Sequence, residues 1–579
     1  MRLADPRRLL GRNALLPSPS GGGGGTAVVG VTMELLFDDG EGPAELDSCE
    51  TRLRAELSAL GASVGLPTVG LVVRRHKTGA TVGLPAAIDT LRTAIDVLEW
   101  AGVLAGAAPT APVPPVDAAA LAQRLQAERN PTLVTLLEEA ARRDVPALLY
   151  DDGISLGHGE KSRTWSTGVV PDVGAVPWGE LGHVPIALVT GTNGKTTTTR
   201  YLAGMMRAAG VVVGATSTDG VVIGAEQKES GDWSGPGGAR AVLRDPRVQM
   251  AALETARGGL LRRGLAVDGA GVAVVTNVSD DHLGDYGVHD IAAMADVKML
   301  IAHGVRRDGC VVLNAADPLL VARAAGVAAP IVYFAVDARH PVVVAHVAQG
   351  GGVCVVHDGV ITLVQGRART LVLPIDDVPL CFGGAAVHNV ENALAATAAG
   401  HALGLPIDAL QAGLRSLRAK HDDLHGRSLV REHQGVRLLL DFAHNPAGVA
   451  AALAFLQRLR ARDAVPGRLI VLTGAAGDRS NDELRGVCAA IAAARPDHVI
   501  VRELDGYRRG CAPGEVPARI RGHLVVAGVA PGVIDAAADD QHGLTLALDD
   551  ARAGDTVAML IHIDGPGVAR LLTERGWPD

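Results

Sequence analysis

One short stretch narrows the folds open to this chain more than any other. Residues 186–199 read IALVTGTNGKTTTT. A β-branched and apolar run of strand length comes first. Two glycines then mark a tight turn, and Lys195 opens a segment of helical character. A strand that feeds a helix through such a turn aims the helix N-terminus, with its partial positive charge and free N–H groups, at the space beyond the strand. Phosphate oxygens suit that space. Gly191, Thr192, Asn193, Gly194, Lys195, Thr196 and Thr197 are therefore the candidate nucleotide-binding loop. Lys195 can reach the β- and γ-phosphates, and the Thr196 hydroxyl can ligate Mg²⁺. The spacing departs from GxxxxGK[ST], because Val189 stands where the first glycine would be. The loop has the shorter GTNGKTT form.

The surrounding texture agrees with a parallel sheet. Short β-branched runs at 186–190, 211–213, 250–253, 272–277 and 311–314 alternate with Ala/Leu-rich helical runs, the pattern of βαβ units. A second alternating block has runs at 437–442, 469–473, 498–501 and 556–561. Before residue 185 the pattern is mixed. A flexible PSPSGGGGG breaker at 17–25 precedes a strand at 26–37, helical spacing at 50–60 and 86–104, and a Pro/Ala linker at 107–115. Helical segments near 117–128 and 131–143 follow, then a strand at 147–150 and a polar stretch to about 184. The expected fold class is α/β. A P-loop-containing central domain with a mostly parallel sheet spans 185–424, a Rossmann-like α/β domain spans 425–579, and an α+β domain spans 1–184. Three domains in 579 residues fit the usual size of about 100–200 residues each.

Charge and cysteine usage exclude some partners. The chain carries 54 Lys+Arg against 63 Asp+Glu, a net −9, which argues against a general nucleic-acid binder with its basic face. Six scattered cysteines without a CxxC pair suggest neither a zinc knuckle nor a disulfide framework. The N-terminal MRLADPRRLLGRN has no apolar signal core, and no run of about 18 apolar residues could span a membrane. A cytoplasmic protein with no membrane partner is expected, with a homo-oligomer left open.

Several longer segments carry a family resemblance. These are GTNGKTTTTR (191–200), TSTDGVVIG (216–224), LRDP (243–246), LETARGGLLRRGLA (253–266), DHLG (281–284), GDRSNDELR (477–485) and GEVPARI (514–520). They resemble the Mur-ligase superfamily and, within it, the C-terminal half of the cyanophycin synthetases, over roughly 185–579. The resemblance implies ligation of a small-molecule or peptide carboxylate to an amino acid, with ATP and Mg²⁺ and an acyl-phosphate intermediate. It implies that Glu254 and His282 hold magnesium. Both follow short apolar runs, where the active sites of open α/β sheets lie, and a carboxylate oxygen suits Mg²⁺. By the same resemblance Lys298, in the helical segment 291–301, would add a metal ligand if carbamylated.

The family pattern places further residues. Asn389 and Asn392 share one helical face and lie against adenine in the family, where amides can match a base edge; Asn389 also suits an N-cap. By the resemblance Arg427 would clamp phosphates as the third domain closes, with His425 before the Gly426–Arg427 pair where the family often has proline. Asp441, in DFAHNP (441–446), would meet ribose or the closing interface. Asn277 would position substrate or phosphate, and Asp478 and Arg479 would face the incoming amino acid. Full cyanophycin synthetases also carry an ATP-grasp domain. The 184 residues before the Mur-type part are too few for it together with a small N-terminal domain, so a relative without the ATP-grasp core is expected. In GDWSGPGGA (231–239), Gly237 and Gly238 replace larger polar residues of the family's GDxTGPxSA, which implies an altered acyl acceptor. Two other classes compete: a catalytically inactive nucleotide-binding partner of the same fold, and an unrelated P-loop phosphotransferase. The complete set Lys195, Thr196, Glu254, His282, Asn389, Arg427 and Asp441 favours the ligase.

Overall fold

A computed structural model describes the chain except residues 11, 12, 14, 17–28, 39–40, 110–116, 151–152, 167, 282, 419–426, 465–466, 561–563 and 579. Its largest sheet has eleven strands. The fully buried strand Ile186–Thr190 lies at its heart, parallel to Met250–Glu254 on one side and to Ala270–Val275 on the other. Val213–Ser217 extends the first side. Val305–Asn314, Ile331–Asp337 and Gly352–His357 extend the other, all parallel. Antiparallel strands finish both edges. The central strands Ile186–Thr190, Met250–Glu254 and Ala270–Val275 are buried almost throughout because helices cover both faces. Helix Lys195–Ala208 packs its buried Tyr201, Leu202, Met205 and Met206 on one face together with Val387–Ala402. Ile291–His303 covers the other. Parallel strands bring their carboxyl ends to one edge, so Thr190, Glu254 and Asn314 end at the same rim.

A six-stranded sheet holds residues 429–560, in the order Leu429–His433, Val436–Asp441, Thr556–Leu560, Leu469–Thr473, His498–Arg502, Ile534–Ala537. Only the first pair is antiparallel. Within it, Arg502 is fully buried. Its Nε meets Asp540 Oδ1 at 2.5 Å, and Nη2 donates to Leu560 O. Asp540 in turn accepts from the Asp564 amide. Asp540→Ala would strand this guanidinium in the core. The expected loss is about 3–5 kcal/mol, read as a lower urea midpoint for the intact chain.

The N-terminal part forms two smaller sheets. Five strands run in the order Val72–His76, Gly79–Pro85, Gly30–Leu36, Arg2–Leu9, Ala108–Pro109, with helices Pro43–Val64 and Leu91–Leu104 in their core. Three more, Ala147–Leu149, Gly153–Leu156 and Arg163–Ser166, pack with helix Pro131–Arg142.

Several local expectations need correction. The helix expected at 50–60 runs from Pro43 to Val64: proline stands at its first turn, Glu45 bonds the Gly42 amide, and Gly65 ends it in the left-handed region. The strand expected at 211–213 starts only at Val213, since Gly210 turns with φ 82° and Val212 stays half-exposed. Part of the expected linker, Ala108–Pro109, pairs with Arg2 and Leu3 as an edge strand. The glycine breaker at 17–25 and residues 110–115 of the linker lie outside the described residues. Among the described residues, no helix is long and apolar enough to cross a membrane.

Candidate active site

The glycine turn is fixed by close approach. A Cβ on Gly191 (φ 153°) would lie 1.9 Å from Thr276 Oγ1, and one on Gly194 (φ 84°) 2.1 Å from Asn392 Oδ1. Only glycine fits positions with such φ values and such neighbours. Between them, the Asn193 amide donates to Asn277 Oδ1 at 2.9 Å, while its carbonyl accepts from Thr276 Oγ1 at 2.6 Å and Asn277 Nδ2 at 3.1 Å. Asn277 thus braces the loop itself. Lys195 folds over the turn, its Nζ donating to the carbonyls of Gly191 (3.2 Å) and Thr192 (3.0 Å).

The next strand supplies an acid. Glu254 closes Met250–Glu254 with 1% exposure, and Thr196 Oγ1 donates to its Oε2 at 2.8 Å. Its other oxygen, Oε1, is buried without a hydrogen-bond partner. Burial raises the Glu254 carboxyl above its ordinary value, opposed by Lys195 and the Thr196 hydroxyl. Lys298 is buried in helix Ile291–His303. Burial, then the charges of Lys195 and Arg257, hold its amine well below the usual lysine range, with Asp281 opposing. His282 lies outside the described residues, as do His425 and Gly426.

A cavity of about 630 Å³ joins the loop to the six-stranded sheet, and Thr192–Thr197, Asn389, Asn392, Arg427 and Asp441 all border it. Helix Val387–Ala402 has Ala386 as its N-cap, so Asn389 is inside the helix and does not cap it. Its Nδ2 donates instead to Leu380 O at 3.0 Å, and its Oδ1 accepts from Asn392 Nδ2 at 3.3 Å. Asp441 Oδ2 accepts from the Ser428 amide at 2.7 Å and Oδ1 from the Ala443 amide at 2.8 Å. That carboxylate ties together two segments at one end of the six-stranded sheet. Arg427 Nη2 donates to Thr218 Oγ1 at 3.0 Å, and Nη1 sits 3.4 Å from Asp219 Oδ2.

A second cavity, of about 450 Å³, lies at the carboxyl ends of Leu469–Thr473 and His498–Arg502 and shares Phe442 and His444 with the first. Asp478 and Arg479 line it. Arg479 is held by Asp281 at 3.1 Å and Glu483 at 2.8 Å. His444 faces Asp281 at 3.8 Å.

Sequence reasoning assigned no role to Thr218, Asp219, Arg200 or Asn445. Asn193 and Asn445 exchange side-chain hydrogen bonds at 3.2 and 3.0 Å, and Asn445 also caps helix Pro446–Arg462. Thr218 and Asp219 directly follow a strand parallel to Met250–Glu254, so their place at the rim where the strand carboxyl ends meet was the available signal.

Comparison with known proteins fixes the class. The Mur ligase middle domain matches residues 189–400, and the Mur ligase, glutamate ligase domain matches 426–560. The chain belongs to the Mur ligase family. Within that family it is similar to the cyanophycin synthetase of Geminocystis herdmanii, 39% identical over 326 residues that make up 56% of this chain and 36% of that protein. The cyanophycin synthetase of Trichormus variabilis is 38% identical over 66% of this chain and 41% of that protein. A UDP-N-acetylmuramoyl-L-alanyl-D-glutamate–2,6-diaminopimelate ligase from Geobacter metallireducens is 29% identical over 58% and 64%. The chain spans less than half the length of the cyanophycin synthetases it matches, and no ATP-grasp domain is evident in it. Among solved structures, a bifunctional folylpolyglutamate synthase/dihydrofolate synthase from Yersinia pestis, complexed with AMPPNP and Mn ion, superposes with TM-score 0.49 and 22% identity over 68% of this chain and 89% of that one.

Proposed function

We propose that the chain is an ATP- and Mg²⁺-dependent ligase that joins a carboxylic acid to the amine of an amino acid through an acyl phosphate. The observation that carries this reading is the Thr196–Glu254 pair beside Lys195, met across one cavity by Arg427 of the third domain. A hydroxyl and a carboxylate with an unsatisfied buried oxygen form a hard-oxygen donor set that fits Mg²⁺, which commonly takes one or two protein ligands and completes its shell with phosphates and water. Bound there, the ion would offset charge on the phosphates. Burial and the nearby charges of Lys195 and Arg257 favour the unprotonated Lys298 amine, the form that reacts with CO₂; the resulting carbamate would be an anion near Lys195 and Arg257.

The chain's own groups account for the rest. Loop amides and Lys195 hold the ATP phosphates, and the Asn389–Asn392 face borders the nucleotide cavity. A carboxylate oxygen of the first substrate attacks the γ-phosphorus, and ADP leaves. Arg427 and Lys195 stabilise charge on the transferring group. The second substrate, seated by Asp478 and Arg479 in the adjoining cavity, gives up its ammonium proton to solvent. Its free amine nitrogen then attacks the acyl carbon, the C–O bond to phosphate breaks, and the departing inorganic phosphate takes the second N–H proton. The shared wall at Phe442 and His444 lets the two reacting centres meet while closure keeps water from the acyl phosphate. The N-terminal 184 residues are proposed as a separate module beside this two-domain ligase.

The test is ADP release with Mg-ATP against a panel of amino acids and short acidic peptides, with mass spectrometry of the products. An amide product stoichiometric with ADP is expected. Nucleotide binding with no amide from any pair would instead favour the inactive partner protein.

A further inference from the structure

The turn after Val213–Ser217 places one carboxylate between two arginines from different domains. Asp219 Oδ2 receives Arg200 Nη2 at 2.8 Å, from the helix that begins at Lys195. It also meets Arg427 Nη1 at 3.4 Å, from the third domain, while Oδ1 lies 3.5 Å from the same nitrogen. The two grips differ. Arg200 is at full hydrogen-bond distance, whereas Arg427 is held at the outer limit and makes its one short bond to Thr218 Oγ1, at 3.0 Å. Thr218 Oγ1 lies 3.4 Å from Thr196 Oγ1, which donates to Glu254. A continuous row of polar contacts thus runs from the strand-end acid to the third-domain arginine. At the other side of the loop, the Asn193–Asn445 amide pair ties the turn to the cap of Pro446–Arg462. The third domain therefore touches the phosphate loop through a matched pair of amides, and the turn beside that loop through an ionic contact at Arg427.

An arginine side chain has much rotamer entropy to lose on meeting a phosphate. A carboxylate that parks it nearby removes that cost beforehand, provided the pair is loose enough to exchange. Resting on the proposed nucleotide site, we propose that Asp219 is a positioning residue that holds Arg427 beside the phosphate loop, and that the Asn193–Asn445 pair docks the same domain. Domain closure and ordering of the loop then become one event. Asp219 touches no reacting atom; it acts through Arg427.

Three variants of the full chain test this. Asp219→Asn should lower kcat about tenfold or more, while affinity for Mg-AMPPNP by calorimetry stays within about threefold or tightens, because one negative charge beside Arg200 and Arg427 is removed while both positive charges remain. Asp219→Glu, which restores the charge, should recover most of the rate. Asn445→Asp keeps a good helix cap but loses one of the two amide donors. It should increase the radius of gyration of the AMPPNP-bound chain in small-angle scattering, and Asp219→Asn should do so as well. Parallel loss of rate and nucleotide affinity in Asp219→Asn, with a lowered melting temperature, would make Asp219 merely structural and overturn the proposal. Unchanged scattering in both variants would also overturn it. The scattering readout needs no turnover, so a chain that makes no amide with any substrate pair sinks the proposed function and leaves the latch still decided by its own result.

Discussion

Lys195→Ala should reduce ADP release about 10³-fold, close to 4 kcal/mol of transition-state stabilisation. The loss should fall mainly on kcat, because charge on the transferring phosphoryl group is greatest in the transition state. The lysine has a second task that shapes the control. Its ammonium bridges the carbonyls of Gly191 and Thr192 at 3.2 and 3.0 Å, so its removal also loosens the turn, and nucleotide affinity should weaken modestly. Lys195→Arg keeps the charge but presents a planar fork where a compact ammonium with three rotatable donors now sits. It should recover less than about a tenth of the lost rate. The fold should survive both changes, because the strand and helix on either side of the turn are held by the apolar core around Val189, Tyr201 and Met205. The measurement is steady-state ADP release with melting curves of each variant. Turnover in Lys195→Ala within tenfold of the parent would remove the loop from the chemistry.

What could be read ahead of the structure follows from the range of each interaction. The strand–turn–helix at 186–208 and the parallel sheet around it were legible because its pieces are contiguous in the chain, and because buried parallel strands appear as apolar runs. Glu254 was legible for the same reason: it ends such a run. Asn389 was only half legible. Its helical face was clear, but its bond to Leu380 O depends on a short turn whose backbone no periodicity reveals. The hairpin Val72–His76/Gly79–Pro85 went unassigned, since its strands carry Arg and Gly in place of a clean alternation, and a turn around Lys77–Thr78 is weak punctuation. Asp219 and Asn445 escaped altogether as working residues. Their partners, Arg427 and Asn193, are 208 and 252 positions away in the chain, and a pairing at that separation exists only once two domains meet.

Glu254→Gln separates the two demands on the buried acid. Glutamine has the same shape and can still accept from Thr196, but it puts an amide nitrogen or a neutral oxygen where Oε1 now lacks a partner. Activity should fall about 10³-fold or more, since the hard anionic oxygen that would hold the metal is gone. Stability should move the other way. Burial raises the Glu254 carboxyl, so the unliganded fold holds its proton more tightly than the unfolded chain does. As pH rises past the ordinary carboxylate range, the unfolded chain ionises this group more readily than the folded one, and the parent loses stability that the glutamine variant keeps. The melting-temperature advantage of Glu254→Gln should therefore grow from about pH 4 toward neutrality, in the absence of nucleotide and metal. Over the same interval the parent should gain affinity for Mg-nucleotide, because the metal competes with the proton for one carboxylate, while the variant's weak affinity should stay flat. A variant that is less stable than the parent at neutral pH would mean that Glu254 is ionised and satisfied in the resting fold, and that its orphaned oxygen is not held in reserve for a cation.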